Sequence, residues 1–383
     1  MSLPPVETPL GAIRFNSDSQ KLEYWMGSAW MQIKTFSPDL DGGARGVFMG
    51  FSVPGGDSQI SYITIPTQGN TVNFGSRTIS GIGANLSSRT RGLAAQDTAP
   101  TFTDTIDFIT LSSTGNATDF GDRTISTTRA RGCSNQTRGM WAGGFNPGNV
   151  RNQIDYVTIS HAGNAIDFGD LTGVREAPSG NVNSPTRAIW TCGDSGGDGS
   201  YQDNIDFVTI GTTGNAQDFG NLTKGRGIAA GLSSAIRGLI AGGQNPSTTA
   251  SIDLISVTSG GNAVDFGDCT IARYGRGSTT DCVRGVSMGG GDSYTDVCSF
   301  LTIATTGNTT NFGDLSTGKS YSNAVSDRIT CMMAGGQLAP GGTVTNQIDS
   351  LSIATGGTAV DSGDLTVTKR ENSAASNGHG GLG

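Results

Sequence analysis

The sequence predicts an all-β fold of seven repeated four-stranded sheets, and three observations carry the prediction. A stretch reading IDYVTISHAGNAIDFGD (Ile154 to Asp170) recurs with small changes seven times. Ile205 to Gly220 reads IDFVTIGTTGNAQDFG and Ile252 to Asp268 reads IDLISVTSGGNAVDFGD, with weaker copies starting at Ile60, Ile106, Cys298 and Ile348. The phenylalanine before the glycine falls at Phe74, Phe120, Phe168, Phe219, Phe266 and Phe312, and Ser362 is its seventh equivalent. The resulting intervals are 46, 48, 51, 47, 46 and 50 residues. A period in this range means a repeat architecture whose units pack on one another. Finally, 60 glycines with only 15% charged residues describe a turn-rich β chain. Four short antiparallel strands per unit at this spacing are the signature of a β-propeller, and seven blades lie inside its usual range.

Within a unit the first expected strand is Arg-Gly plus apolar residues ending in Gly-Gly, as in Arg138 to Gly144 and Arg237 to Gly243. Variants start at Arg45, Arg91, Arg187 and Arg284, and in the seventh unit Thr330 replaces the arginine. A variable loop leads to the second strand, the IDFVTI element. A Thr-Gly-Asn turn such as Thr213 to Asn215 leads to the third, AxDFGDLT. The Gly-Asn pair predicts a tight hairpin because both residues tolerate positive φ. Gly227 to Ser234 is the expected fourth strand, and Glu371 to Leu382 aligns with it in the last unit. On that alignment the chain ends as the seventh blade completes. A β-solenoid is the runner-up fold, but its coils need a much shorter period. The repeat phenylalanine is expected to pack blade against blade. Ser362 therefore predicts a weaker seventh blade.

The paired glycines after an apolar strand, together with the unit length, resemble kelch repeats. The spaced Tyr and Trp that follow the glycine pair in that family are missing here, so the resemblance is kelch-like.

Residues 1–43 precede the repeats, and 44–383 hold them. Leu10 to Asn16, Lys21 to Trp25 and Trp30 to Ile33 read as a three-stranded meander, with turns at Ser17 to Gln20 and Met26 to Ala29. Two of the four tryptophans, Trp25 and Trp30, lie in it. A sheet this small does not bury both faces alone. Docking on a partner is therefore expected through Phe15, Tyr24, Trp25 and Trp30, and the turn-rich stretch Thr35 to Gly43 separates the meander from the repeats. GAIRFNSDSQKLEYWMGSAW (Gly11 to Trp30) resembles a short module of tailed-bacteriophage virion proteins, especially tail and fibre components. Gly11, Ile13, Arg14, Phe15, Asn16, Leu22, Glu23, Trp25, Gly27 and Trp30 carry the match.

That resemblance implies a non-enzymatic virion protein, assembled in the host cytoplasm and homo-oligomeric in the particle. Its partners would be other virion proteins and a host receptor or glycan, in a tail, fibre or host-attachment role. Capsid or vertex decoration, a cellular kelch-like adaptor and a glycan-cleaving propeller enzyme are the alternatives. A net charge of −8 argues against nucleic-acid backbones and anionic membranes as partners. No apolar run approaches the roughly 20 residues of a membrane span, and the N-terminus lacks a signal-peptide pattern.

Chemistry-bearing residues are few. Asp167 with Asp170, and Asp265 with Asp268, sit beside Gly-Asn, but an interposed phenylalanine and strand-like alternation favour aspartates that close turns over a calcium loop. The repeated arginine is expected to brace the blades by pairing with a repeat aspartate such as Asp155 or Asp206. Cys133, Cys192, Cys269, Cys282, Cys298 and Cys331 occupy scattered phases without a CxxC and are expected to be buried small apolar groups. His161 sits in a variable turn and His379 in a Gly-rich tail, neither at metal-ligand spacing. No GxSxG elbow or phosphate-loop motif appears, and Gly289 to Gly291 opens no helix. A glycosidase would draw on loop acids, which are Asp194, Asp198 and Asp203 in the fourth unit and Asp292 and Asp296 in the sixth. No metal and no cofactor is expected.

Overall fold

A computed structural model describes residues 8–16, 21–32, 44–50, 57–97, 102–196, 199–371 and 373–377. The chain divides into two units, Met1–Gly43 and Ala44–Gly383. Strand dominates both, and the described residues hold one helical turn, the 3-10 segment Ile65–Thr67. The expected turn at 17–20, the separating stretch 35–43, Asp198, His379 and most of the Gly-rich tail lie outside the described residues.

In the second unit seven four-stranded antiparallel sheets form seven blades. Blade 3 is typical, with strands Arg131–Ser134, Arg138–Ala142, Gln153–Thr158 and Ile166–Asp170 paired in that order from the inside outward. The innermost strands touch one another in sequence round the axis, and the last meets the first, so the ring is closed. The fold is a kelch-like β-propeller.

The grouping of strands into blades corrects the expected one. The weak strand after each AxDFGDLT segment is not the fourth of its own unit; it is the innermost strand of the next blade. Ala230–Ser233, for example, pairs with Arg237–Ala241. The C-terminal strand Ser373–Ser376 therefore does not complete blade 7. It pairs with Arg45–Met49 and becomes the inner strand of blade 1. Strands from the two ends of this unit close the ring, so it cannot open without breaking a sheet.

Seven apolar clusters lie among the described residues, one at each junction of adjacent blades. The cluster between blades 3 and 4 joins Phe168 and Met140 to Trp190, Val208 and Ile210. The core is thus between sheets, and each blade is buried only by its neighbours. All six repeat phenylalanines are buried, Phe168 at 3% exposure. Glycine allows the close approach. A Cβ on Gly139 would sit 2.5 Å from Leu86 of the preceding blade. The two tryptophans of the propeller fill such junctions fully buried, with Trp141 Nε1 donating to the Ala84 carbonyl across one (2.9 Å). Cys133, Cys192, Cys269, Cys298 and Cys331 are buried and Cys282 is half-buried; none of the six is in a disulfide.

The Gly-Asn element is not a two-residue hairpin. In blade 4 residues 210–216 link the third and fourth strands, and of the pair only Gly214 takes a positive φ, +148°. The element is a latch between blades. The Gly214 amide donates to the Phe168 carbonyl of blade 3 (2.8 Å), Ala216 donates to Asp170 (2.8 Å), and Asn215 Oδ1 accepts the Asp170 amide (3.1 Å). The backbone bond from turn to outer strand recurs at all seven junctions, ending with Gly69 to Ser362. It covers outer edges that would otherwise invite strand addition.

In the first unit Ile13–Asn16, Lys21–Trp25 and Trp30–Gln32 form the expected three-stranded sheet.

Candidate functional site

Three arrangements carry charge or exposed aromatic surface. Antiparallel pairing puts Ile13, Tyr24 and Met31 in one cross-strand row and Phe15 opposite Leu22. These five share a face, and all are exposed, Ile13 at 66% and Phe15 at 63%. On the other face Glu23 is buried. It accepts Arg14 Nε (2.9 Å) and Asn16 Nδ2 (3.0 Å), and these bonds hold its carboxyl below the usual range. The Arg14 guanidinium lies 4.1 Å from the Trp30 ring centroid, and Trp30 stands 5.4 Å from Trp25. The four expected docking residues are therefore divided. Phe15 and Tyr24 stand on the open apolar face. Trp25 and Trp30 stand on the face that the Arg14–Glu23 pair organises. Leu22, Ile13 and Met31, none of them among the expected docking residues, complete the open face; only the register shows that they line up.

The inter-blade braces depart from expectation. The arginine that starts the second strand of blades 1 to 6 meets no repeat aspartate. Arg138 lies over the Tyr156 ring (4.8 Å) and donates to the Ile210 carbonyl of the next blade (2.7 Å). Arg45, Arg91, Arg187 and Arg284 repeat both contacts. Asp155 and Asp206 pair instead with a second, fully buried cation, Arg123 (3.0 Å) and Arg175 (2.6 Å). Arg77–Asp107, Arg226–Asp253 and Lys319–Asp349 are equivalents, and Lys369–Asp57 takes the place between blades 7 and 1, where Ser61 stands at the aspartate position. A hydroxyl bonds each of the five strand aspartates, as Thr172 does for Asp206 (2.6 Å), whereas Asp57 accepts the Gln59 amide (2.9 Å). This cation escapes a repeat search because its position shifts. Arg77 and Arg123 directly follow the outer strand, whereas Arg175, Arg226, Arg273, Lys319 and Lys369 come four residues later in the frame.

Strand alternation sends the loops between second and third strands, and the connections between blades, to one end of the ring. Four of the seven tyrosines, Tyr201, Tyr274, Tyr294 and Tyr321, lie in these loops. Tyr274 packs edge-on against Tyr321 (6.5 Å) and donates to Asp292. Tyr321 has φ +57°, a conformation shared round the ring by Arg129, Ala177, Ile228, Gly275 and Glu371 at the equivalent position; Tyr294 has φ +50° in its own loop. Burial first, then the bonds to Asp292 and Tyr321, pushes the Tyr274 phenol up, so it stays a donor at neutral pH. Arg370 donates to Gln337 Oε1 beside this group (2.7 Å).

The described loop acids do not assemble as a pair. Asp194 accepts the Gly196 and Gly199 amides within its own loop, Asp292 is held by Tyr274, and Asp203 and Asp296 are exposed on different blades. The repeat aspartates do close turns. Asp167 accepts the Gly169 amide, and Asp265 that of Gly267. His161 is exposed beside Ser160 (2.8 Å) in a depression of about 190 Å³ also lined by Tyr156 and Asn164. Among the described residues no three His, Cys, Asp or Glu form a group suited to a metal ion, and no helix is long and apolar enough to cross a membrane.

No protein-family model matches the chain, and no curated protein matches it in sequence. Among solved structures the chain is similar to YjhT at 12% identity with a TM-score of 0.55, over 70% of this chain and 93% of that one. At that identity the likeness shows the fold alone, a kelch-type propeller.

Proposed function

We propose that this chain is a non-enzymatic structural protein of a tailed-phage virion. Residues 1–43 attach it to a neighbouring virion protein, and the propeller is displayed for host adsorption. The observation that carries the reading is the meander. It resembles a virion module, forms a unit of its own and leaves Ile13, Phe15, Leu22, Tyr24 and Met31 exposed on one face. Aromatic and aliphatic anchors of this kind dominate the energetics of protein contacts. The tyrosine-bearing end of the ring is the matching choice for the face that meets the host. Its side chains depart from the sevenfold repeat, and they offer aromatic rings and hydroxyls.

Deleting residues 1–43 tests the attachment. The ring closes through Ser373–Ser376 on Arg45–Met49, both outside the deletion, so the truncated chain should stay folded. Phage carrying the deletion should yield particles without it. Truncated chain incorporated at full copy number would overturn the reading. Purified propeller should compete with phage for host cells, and Tyr321→Ala should weaken that competition; a labelled propeller on the capsid shell would point to decoration instead.

A further inference from the structure

The seven blade junctions are alike in charge except one. At six of them a buried cation meets a carboxylate, from Asp107, Asp155, Asp206, Asp253, Asp349 or Asp57. Between blades 5 and 6 the cation is Arg273, fully buried, and Ser299 stands at the aspartate position. Arg273 donates to the Val297 carbonyl (2.6 Å) and Ser299 Oγ (2.9 Å), and Ser299 also bonds Thr270 (2.6 Å). No carboxylate among the described residues pairs with it. Its Nε has no partner; that alone would not set it apart, since Arg175 Nε has none either, but Arg175 has Asp206.

The same junction gains a second cation. Three residues after the buried cation, blades 4, 5 and 7 have Pro178, Ala229 and Ser322, whereas blade 6 has Arg276. Arg276 is half-buried. It donates to the carbonyls of Arg273 (3.3 Å) and Ala241, and its Nε has no partner. Relative to its sisters, this junction has lost one negative charge and gained one positive charge. Burial, and then the neighbouring Arg276, depress the Arg273 pKa to about 10, which leaves it charged at neutral pH. The Cys298 thiol cannot supply the missing charge, because burial pushes it up to about 12.

We propose that a small monovalent anion, chloride by size and charge, binds at Arg273 and Arg276 between blades 5 and 6, in the role that aspartate plays elsewhere. A buried cation without a counter-charge is strongly disfavoured. Ser299 has a hydroxyl where its sisters have a carboxylate, so the space freed is small and the occupant is small. Half-buried Arg276 marks the route from solvent.

Thermal unfolding of the full chain in sodium chloride against sodium gluconate, at constant ionic strength, tests this. A ligand that binds the folded state raises Tm with its concentration, and an increase of about 2 °C at 0.2 M chloride is expected. Ser299→Asp should abolish the chloride dependence and raise Tm in gluconate to the wild-type value in chloride. If that variant does not fold, Arg276→Ala should at least halve the chloride shift. Equal wild-type Tm in both salts, or a shift that survives both substitutions, overturns the proposal.

Discussion

The outer strand of blade 3, Ile166–Asp170, and the first meander strand, Ile13–Asn16, each place a phenylalanine on a short antiparallel sheet. Phe168 is 3% exposed and Phe15 63%. The strands do not differ in kind; the neighbours do. Blade 3 has a sheet on either side. It receives Leu86 against Gly139 from one and gives Phe168 to the Trp190 cluster of the other, and a buried ion pair and a latch cross each junction. Among the described residues of its own unit the meander has no second layer. One face carries an ionic and aromatic arrangement of Arg14, Asn16, Glu23, Trp25 and Trp30. A sheet of three or four short strands is therefore completed by what packs on it, which the ring supplies seven times.

The largest way to break this contrast is at a junction. Asp206→Ala leaves Arg175 buried without its carboxylate and should cost about 3–5 kcal/mol in denaturant unfolding. Phe168→Ala empties the same junction and should cost a similar ~3–5 kcal/mol. Phe15→Ala should leave propeller unfolding unchanged, and a shift comparable to that of Phe168→Ala would show the meander to be part of the propeller core.

A smaller effect sharpens the contrast inside the ring. Blade 7 has Ser350 and Ser362 where blade 3 has the edge-on pair Tyr156 and Phe168, although Phe48 brings one buried ring to the junction with blade 1. Amides of Gln347–Ser352 and Val360–Asp364 should exchange hydrogen faster than those of Gln153–Thr158 and Ile166–Asp170. Equal protection would mean that Phe48 compensates in full.

The smallest effect is in the meander. The Asn16 and Arg14 bonds lower the Glu23 pKa in the folded sheet. The stability they contribute is present above the ordinary glutamate range and is lost as pH falls through the lowered value. The Trp25 and Trp30 indole NMR signals should move in that acid window, and Glu23→Gln should remove the dependence. Signals that titrate alike in both proteins would show that the carboxylate does not hold this face.

Repetition made the fold readable. Seven copies of one pattern average away local ambiguity, so blade number, strand character, buried phenylalanines and turn-closing aspartates could be read from spacing alone. Two expectations failed where the sequence offered a plausible local partner. Hairpin chemistry was expected of Gly214 and Asn215, yet the asparagine serves the neighbouring blade. The repeated arginine looked like the mate of the repeat aspartate, yet Arg138 reaches a carbonyl 72 positions away and Asp206 meets Arg175.

The sequence by itself determined the all-β class, the count of seven and which side chains face inward, because strand alternation and a near-constant period are local properties of the chain. Only the tertiary structure decided which cation meets which aspartate, how strands group into blades, and that Ser373–Ser376 closes the ring on Arg45–Met49. Those contacts cross from one repeat to the next or join the two ends of the propeller. They depend on where the ring brings residues together, which spacing along the chain does not encode.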